Sequence, residues 1–202
     1  MIRLALLDDH PAVLAGLQRL IGPSRDMEVL AAAGDPVALA RELSGRRPDL
    51  LIADYDPARA DSLSLCRRIK SRPASPRILI YTAYTSPALA VAARAAQADA
   101  LVDKSAPAAE LLDAIRRTAH GETVIAPVAR RDFEAAVARV DERDLPLLAM
   151  LLDGAALPEI ADGLRTNQRK AARRVHGLVQ HLRPSFELTS TARSDRDGSR
   201  SA

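Results

Sequence analysis

At 202 residues, 48% of them apolar, the chain is long enough for one ordinary domain and a small second one, with apolar content for a buried core. No stretch approaches the ~20 apolar residues of a bilayer span, and the N-terminus lacks the charged, apolar and small-residue sections of a signal peptide, so a cytoplasmic protein with no membrane partner is expected. Cys66 is the only cysteine, which excludes a disulfide framework or a thiolate metal site within one chain, and the formal net charge of +3 is mild but unevenly spread.

The first element is an apolar run over residues 2–7, IRLALL, which ends at two adjacent carboxylates, Asp8 and Asp9. Pro11 then opens a segment with Val13, Leu14, Leu17, Leu20 and Ile21 at helical spacing, so a strand followed by a helix is the simplest reading. The pattern recurs. MEVLAAA precedes PVALARELSG, and DLLIAD precedes a helix over Asp61 to Lys70; RILIYTAY then precedes SPALAVAARAA, and ALVDK precedes PAAELLDAIRRTAHG. Such alternation predicts a five-stranded parallel sheet covered on both faces, because parallel neighbours need crossover helices and doubly buried strands read as continuous apolar runs. This α/β unit spans residues 1–120, and 121–140 form a linker with a helix around Arg130 to Val140.

A small all-α unit is predicted over 141–184. DERDLPLLAMLLDG reads as a capped helix with Gly154 at its end, LPEIADGL as a short helix with Pro158 in its first turn, and Asn167 caps a third helix, Gln168 to Leu182, stopped by Pro184. The polar tail, 185–202, is expected to be disordered. In the third helix Ala171, Val175, Leu178, Val179 and Leu182 share one face, while Arg169, Arg173, His176 and Gln180 lie on the opposite one. Residues 165–183 carry Arg165, Arg169, Lys170, Arg173, Arg174 and Arg183 with no Asp or Glu, so this helix has one side to pack and one to offer a polyanion.

In an open parallel sheet, ligands sit beyond the carboxyl ends of the strands. There the first strand delivers Asp8 and Asp9, the third Asp54, the fourth Thr82 and the fifth Lys104. The chain is rich in arginine, and its only lysines are Lys70, Lys104 and Lys170, so a lysine at this edge stands out. Clustered carboxylates need a cation, and a hard divalent ion such as Mg2+ suits oxygen ligands. Metal and ammonium together suit a phosphoryl group, whose equatorial oxygens they neutralise while a carboxylate attacks in line. Taken singly, each residue is ordinary: acid pairs after strands are commonly solvated or cap helices, and His10 reads as a loop or cap residue.

In this order and combination, residues 2–120 resemble the receiver domain of two-component response regulators, a flavodoxin-like (βα)5 fold. The resemblance implies that Asp54 is the phosphoacceptor, that Asp8, Asp9, Asp54 and the backbone carbonyl of Asp56 bind Mg2+, that Thr82 is the switch hydroxyl that follows the phosphoryl group and that Lys104 is the salt-bridge partner of that group. The family's run after the acceptor, Asp-x-x-Met-Pro-Gly, is DYDPARADS here, with Pro57 and Ala58 in place of Met and Pro. Leu101 stands where an aromatic is common, and Tyr84 either substitutes for it or packs against the fourth helix. Asp103 is expected to face away from Lys104, because neighbouring strand side chains alternate.

The three C-terminal helices, with the tight GLRTN turn before the last, match a helix-turn-helix whose third helix enters the major groove. LLAMLLDGAALPEIADGL resembles the scaffold helices of LuxR/NarL-type output domains, although that family's Ser, Thr and Val at the third helix are Asn167, Lys170 and Ala171 here. Asn167, Arg169, Lys170, Arg173, Arg174 and His176 form the expected DNA-binding set, with basic side chains on phosphates and one or two arginines on guanine edges.

The expected function is a transcription regulator, not a metabolic enzyme. A sensor histidine kinase phosphorylates it on Asp54, and it binds double-stranded DNA as a homodimer on activation. One alternative is a protein-interaction module whose output domain has lost DNA binding or control by phosphorylation. Another is a haloacid-dehalogenase-like phosphatase, which also uses aspartates and Mg2+; it would place its nucleophile in the first acidic loop and would need a substrate cap that this chain has little room for.

Overall fold

The computed structural model describes residues 1–56 and 62–182. Its first part alternates β1 (Ile2–Leu7), α1 (Pro11–Ile21), β2 (Met27–Ala33), α2 (Pro36–Leu43), β3 (Leu50–Asp54), α3 (Ser62–Lys70), β4 (Arg77–Thr82), α4 (Pro87–Ala95), β5 (Ala100–Asp103) and α5 (Ala108–Ala119). The strands pair in parallel in the order β2-β1-β3-β4-β5. Strand order turns back between β1 and β3, so the crevice that binds ligands in such sheets opens there. The register sets Leu7 opposite Ala53, Asp54 opposite Tyr81 and Thr82 opposite Asp103, which brings Asp8, Asp54 and Lys104 to one level at the carboxyl edge.

Side-chain alternation divides the core. Leu4, Leu6, Leu50, Ile52 and Leu79 face α1 and α5, where they meet Leu17, Ile21, Leu111 and Ile115. On the other face the sheet carries smaller groups, Ala5, Ala31, Ala33 and Ala53, under Leu39 of α2. A cleft of about 570 Å3 opens between α2 and α3, lined by Ala5, Leu39, Leu51 and Ile69. At the amino edge, nearly buried Asp99 accepts from Ile78 N–H at 2.7 Å and pairs with Lys70 Nζ at 2.5 Å and Arg77 Nη1 at 2.8 Å. That cluster pins the end of α3 and the start of β4 to β5, and it gives Lys70, the first of the three lysines, a structural role.

The linker does not simply leave the sheet. Leu101 N–H donates to Val124 O at 2.9 Å and Val124 N–H to Asp99 O at 2.8 Å, so the chain returns to the β5 edge before α6 (Arg130–Val137). A 3-10 turn, Glu142–Asp144, then leads into α7 (Leu145–Leu152), α8 (Leu157–Gly163) and α9 (Gln168–His181). Asp141 accepts from Arg143 N–H, and Glu159 reaches back to Ala156 N–H at 2.7 Å. Asn167 Oδ1 accepts from Lys170 N–H at 2.9 Å, as its place before a helix suggests. A Cβ on Gly163 would lie 2.8 Å from Met150 Cε, the far end of a flexible side chain that reaches α8 from α7.

These helices share a core with the receiver helices. The cluster runs from Leu63 of α3 and Leu89 and Val91 of α4 through Leu147, Leu151 and Ile160 to Val175, Leu178 and Val179. Gln97 fastens the seam, its Nε2 donating to Gly154 O at 2.9 Å and Ala155 O at 3.0 Å. The expected tail, Pro57, Ala58, Pro184 and Arg183 lie outside the described residues. Among the described residues, no helix is long and apolar enough to cross a membrane.

Candidate functional site

The carboxyl ends of β1 and β3 are buried in apolar sheet almost to their last residue, so the acids that follow emerge where solvent is scarce. Asp8 is 3% exposed, and its Oδ2 accepts from Lys104 Nζ at 2.7 Å. The same ammonium lies 2.8 Å from Asp54 Oδ1, so one cation delivered by β5 bridges acids delivered by β1 and β3. Burial raises the Asp54 carboxyl above the ordinary carboxylate range; Asp8 and Asp9 push the same way, against the Lys104 ion pair. Burial lowers the Lys104 ammonium, but hydrogen bonds to Asp54 and Asp8 outweigh it, and the net direction is upward. Lys104 Nζ also stands 5.9 Å from the Tyr81 ring centroid.

Asp8 and Asp54 share one ammonium, and Asp9 and His10 stand beside them. Ligand atoms of Asp8, Asp9, His10 and Asp54 all lie within 4.8 Å of one another, so the group could hold a metal ion. A cavity of about 160 Å3 opens over them, bounded by Asp8, Asp9, Asp54 and Asp56, with Ser62 and Arg68 of α3 opposite. His10 was expected only to cap or to line a loop. It precedes α1 without a side-chain capping bond, and its Nδ1 instead sits 3.1 Å from Asp8 Oδ1 and 3.0 Å from Asp9 Oδ1. Arg68 had no place in the sequence reading; its signal is the i, i+3, i+6 spacing of Ser62, Leu65 and Arg68, which puts them on the α3 face that borders the acids.

Thr82 is fully buried. Its hydroxyl donates to Tyr55 O at 2.7 Å and accepts from Tyr84 N–H at 3.0 Å, so it points at the backbone after Asp54 and not into the cavity. Asp103 turns away from Lys104, pairing with Thr85 and with Ser105, whose N–H donates at 2.8 Å. Tyr84 is exposed at 41%.

On α9 the buried face is Ala171, Val175, Leu178 and Val179, as the helical spacing requires. Arg169, Lys170 and Arg173 are exposed, and among the described residues their side chains have neither hydrogen bonds nor ion pairs. Arg174 differs from its expected place in the set. Its guanidinium is drawn back to Asp144 and to Arg143 O at 2.9 Å, because the 3-10 turn lies beneath that side of the helix. His176 Nδ1 lies 2.9 Å from Ser64 Oγ on α3, and Gln180 Nε2 donates to the same oxygen at 3.1 Å. The face expected to be free is therefore divided: Arg169 and Arg173 are available, and His176 is held against α3.

A parallel sheet of this order with acids at the ends of β1 and β3 and a lysine after β5 defines a receiver-type signalling domain, and the helical region after it fits a helix-turn-helix domain. Residues 4–116 match the response regulator receiver domain, and the chain belongs to that family. It is similar to the DNA-binding transcriptional activator DevR/DosR of Mycobacterium tuberculosis (strain ATCC 25618 / H37Rv), 27% identical over 90% of this chain and 88% of that protein. It is also similar to the transcriptional regulatory protein LiaR of Bacillus subtilis (strain 168), 30% identical over 81% of this chain and 82% of that protein. The structure of RcsB from Salmonella enterica serovar Typhimurium, bound to promoter rprA in the presence of phosphomimetic BeF3-, shares the fold with a TM-score of 0.59 at 22% identity, covering 92% of this chain and 94% of that one.

Proposed function

We propose that this protein is a cytoplasmic transcription regulator, not a metabolic enzyme, whose receiver accepts a phosphoryl group on Asp54 from a sensor histidine kinase and whose C-terminal helices bind double-stranded DNA. The observation that carries this reading is the Lys104 ammonium held between Asp8 and Asp54, two acids that with Asp9 line a small cavity. A space of about 160 Å3 suits a phosphoryl group better than a metabolite.

Asp54 is the nucleophile. Its carboxylate oxygen bonds to phosphorus as the bond to the donor's leaving group breaks, giving an acyl phosphate. Asp8, Asp9 and Asp54, with the backbone carbonyl of Asp56, form an oxygen donor set that suits Mg2+, which when bound supplies neutralisation of the phosphoryl oxygens. Lys104 adds the second positive charge there. Thr82 is the switch: to reach a phosphoryl group on Asp54, its hydroxyl leaves Tyr55 O and draws with it the turn at Tyr84 that leads into α4. Because α4 shares its core with α7 and α9, a shift there reaches the DNA-binding helices.

Arg169, Lys170 and Arg173 then engage DNA, Asn167 caps the helix they stand on, and His176 joins them once α9 leaves Ser64. Dimerisation sets two such helices one helical turn of DNA apart. Labelling of the full chain by a small phosphodonor, with and without Mg2+, tests the receiver half: incorporation that needs Mg2+ and is lost in Asp54→Asn supports it, and incorporation that survives Asp54→Asn contradicts it. The hold on α9 also favours a second reading, a receiver-based interaction module that does not bind DNA. Salt-dependent duplex binding that collapses in Arg169→Ala/Arg173→Ala counts against that reading.

A further inference from the structure

In the seam between α3 and α9, one nitrogen of a largely buried guanidinium lacks a partner among the described residues. Arg67 Nη1 is buried and has no hydrogen-bond acceptor, and among the described residues the guanidinium has no ion pair. Burial alone pulls it down to about 10. A buried cation is ordinarily matched by a carboxylate, by water or by a bound ion, because leaving it unpaired forfeits its hydration. Beside Arg67 lies a cavity of about 110 Å3, bordered by Ser64 and Arg68 of α3 and by Val175, His176 and Val179 of α9, and among the described residues no Asp or Glu lines it.

The polar wall of this cavity has donors left over. Ser64, 4% exposed, accepts from Gln180 Nε2 and is hydrogen-bonded to His176 Nδ1. If Nδ1 carries the ring proton, the Ser64 O–H remains unspent; if the serine donates to Nδ1, the proton on His176 Nε2 remains unspent. Either tautomer adds a donor to the guanidinium fork, and a guanidinium fork fits an oxoanion with two parallel hydrogen bonds. The valine walls and the small volume exclude a large ligand.

We propose that this seam binds a tetrahedral oxoanion of the size of inorganic phosphate, free or as a small phosphomonoester, held by Arg67 and the Ser64–His176 pair, and that the bound anion fastens α9 to the receiver. The site lies across α3 from the acidic cavity and is separate from Asp54 chemistry, although Arg68 borders both cavities.

The test uses the full chain in chloride, inorganic phosphate or glycerol phosphate at matched ionic strength, with melting temperature and backbone hydrogen exchange as readouts. At about ten times Kd, phosphate or the ester raises the melting temperature by roughly 3 °C. Exchange slows over residues 62–71 and 168–181. Arg67→Met keeps the apolar stem, loses the anion-dependent shift and melts higher than the parent protein in chloride, because an unpaired buried charge has been removed. Arg67→Lys keeps the charge and retains part of the shift, and Arg169→Ala/Arg173→Ala retains all of it. A shift limited to one of the two anions identifies which source the site accepts. No shift with either anion, or an undiminished shift in Arg67→Met, overturns the proposal.

Discussion

In the acidic pocket, Asp8, Asp54 and Lys104 meet because three strands end at one level, although 96 residues separate Asp8 from Lys104. On α9, Arg169 and Arg173 are neighbours because a single helix turns, with no help from the rest of the chain. Yet the pocket is the more self-contained of the two, since its partners are one another. The availability of the helix depends on distant packing: Asp144 takes Arg174, and Ser64 takes His176. Chemistry that depends on long-range assembly can be internally complete, and a locally written surface can be controlled from elsewhere.

The sharpest way to break this contrast is at the acceptor. Asp54→Asn reduces phosphodonor labelling to background, whereas Asp8→Asn slows labelling without abolishing it; the opposite ranking would favour a phosphatase with its nucleophile in the first acidic loop. Next come the cores. Leu111→Ala, on the buried face of α5, and Leu151→Ala, in the seam shared by α4 and α7, each cost about 2–5 kcal/mol. Because the shared cluster joins both halves, calorimetry should show one transition that either substitution lowers. Two transitions, with only one moved by Leu151→Ala, would mean that the halves unfold independently.

Metal binding gives a smaller effect. At about ten times Kd, Mg2+ stabilises the parent protein by about 1.4 kcal/mol, and Asp9→Asn loses most of that gain in thermal melts. On the helix, removing Arg169 and Arg173 each reduces the slope of log affinity against log salt by about 0.9 in duplex titrations. Arg174→Ala leaves the slope unchanged and lowers stability, because its partner is Asp144. The smallest effect is at the seam: Ser64→Ala removes the hydrogen bonds to His176 and Gln180, about 1 kcal/mol, and tightens duplex binding by about fivefold in fluorescence anisotropy. Equal affinity would show that this contact does not restrain α9.

Much of the receiver was legible in the chain because doubly buried strands leave unbroken apolar runs, and the residue after each run has nowhere to go but the carboxyl edge. The same rule located Asp8, Asp54, Thr82 and Lys104. It could not orient Thr82, whose hydroxyl is set by the carbonyl of Tyr55 in another loop. It passed over His10 and Arg68 because their roles come from neighbours brought in by folding. The apolar stripe of α9 followed from helical periodicity, but the partners of Arg174 and His176 lie 30 and 112 residues away in the chain, and no local pattern reports them. The return of Val124 to β5 left no sequence signal because one bridge needs no apolar run.

The most direct test of the central claim is selection of duplexes from sheared genomic DNA by the purified full chain with Mg2+, with and without beryllofluoride. Enrichment of a two-fold-symmetric sequence that sharpens with the phosphoryl mimic, and that loses this response in Asp54→Asn, is the expected result. Enrichment indifferent to the mimic, or no enrichment in either condition, would contradict a switch that runs from Asp54 to α9.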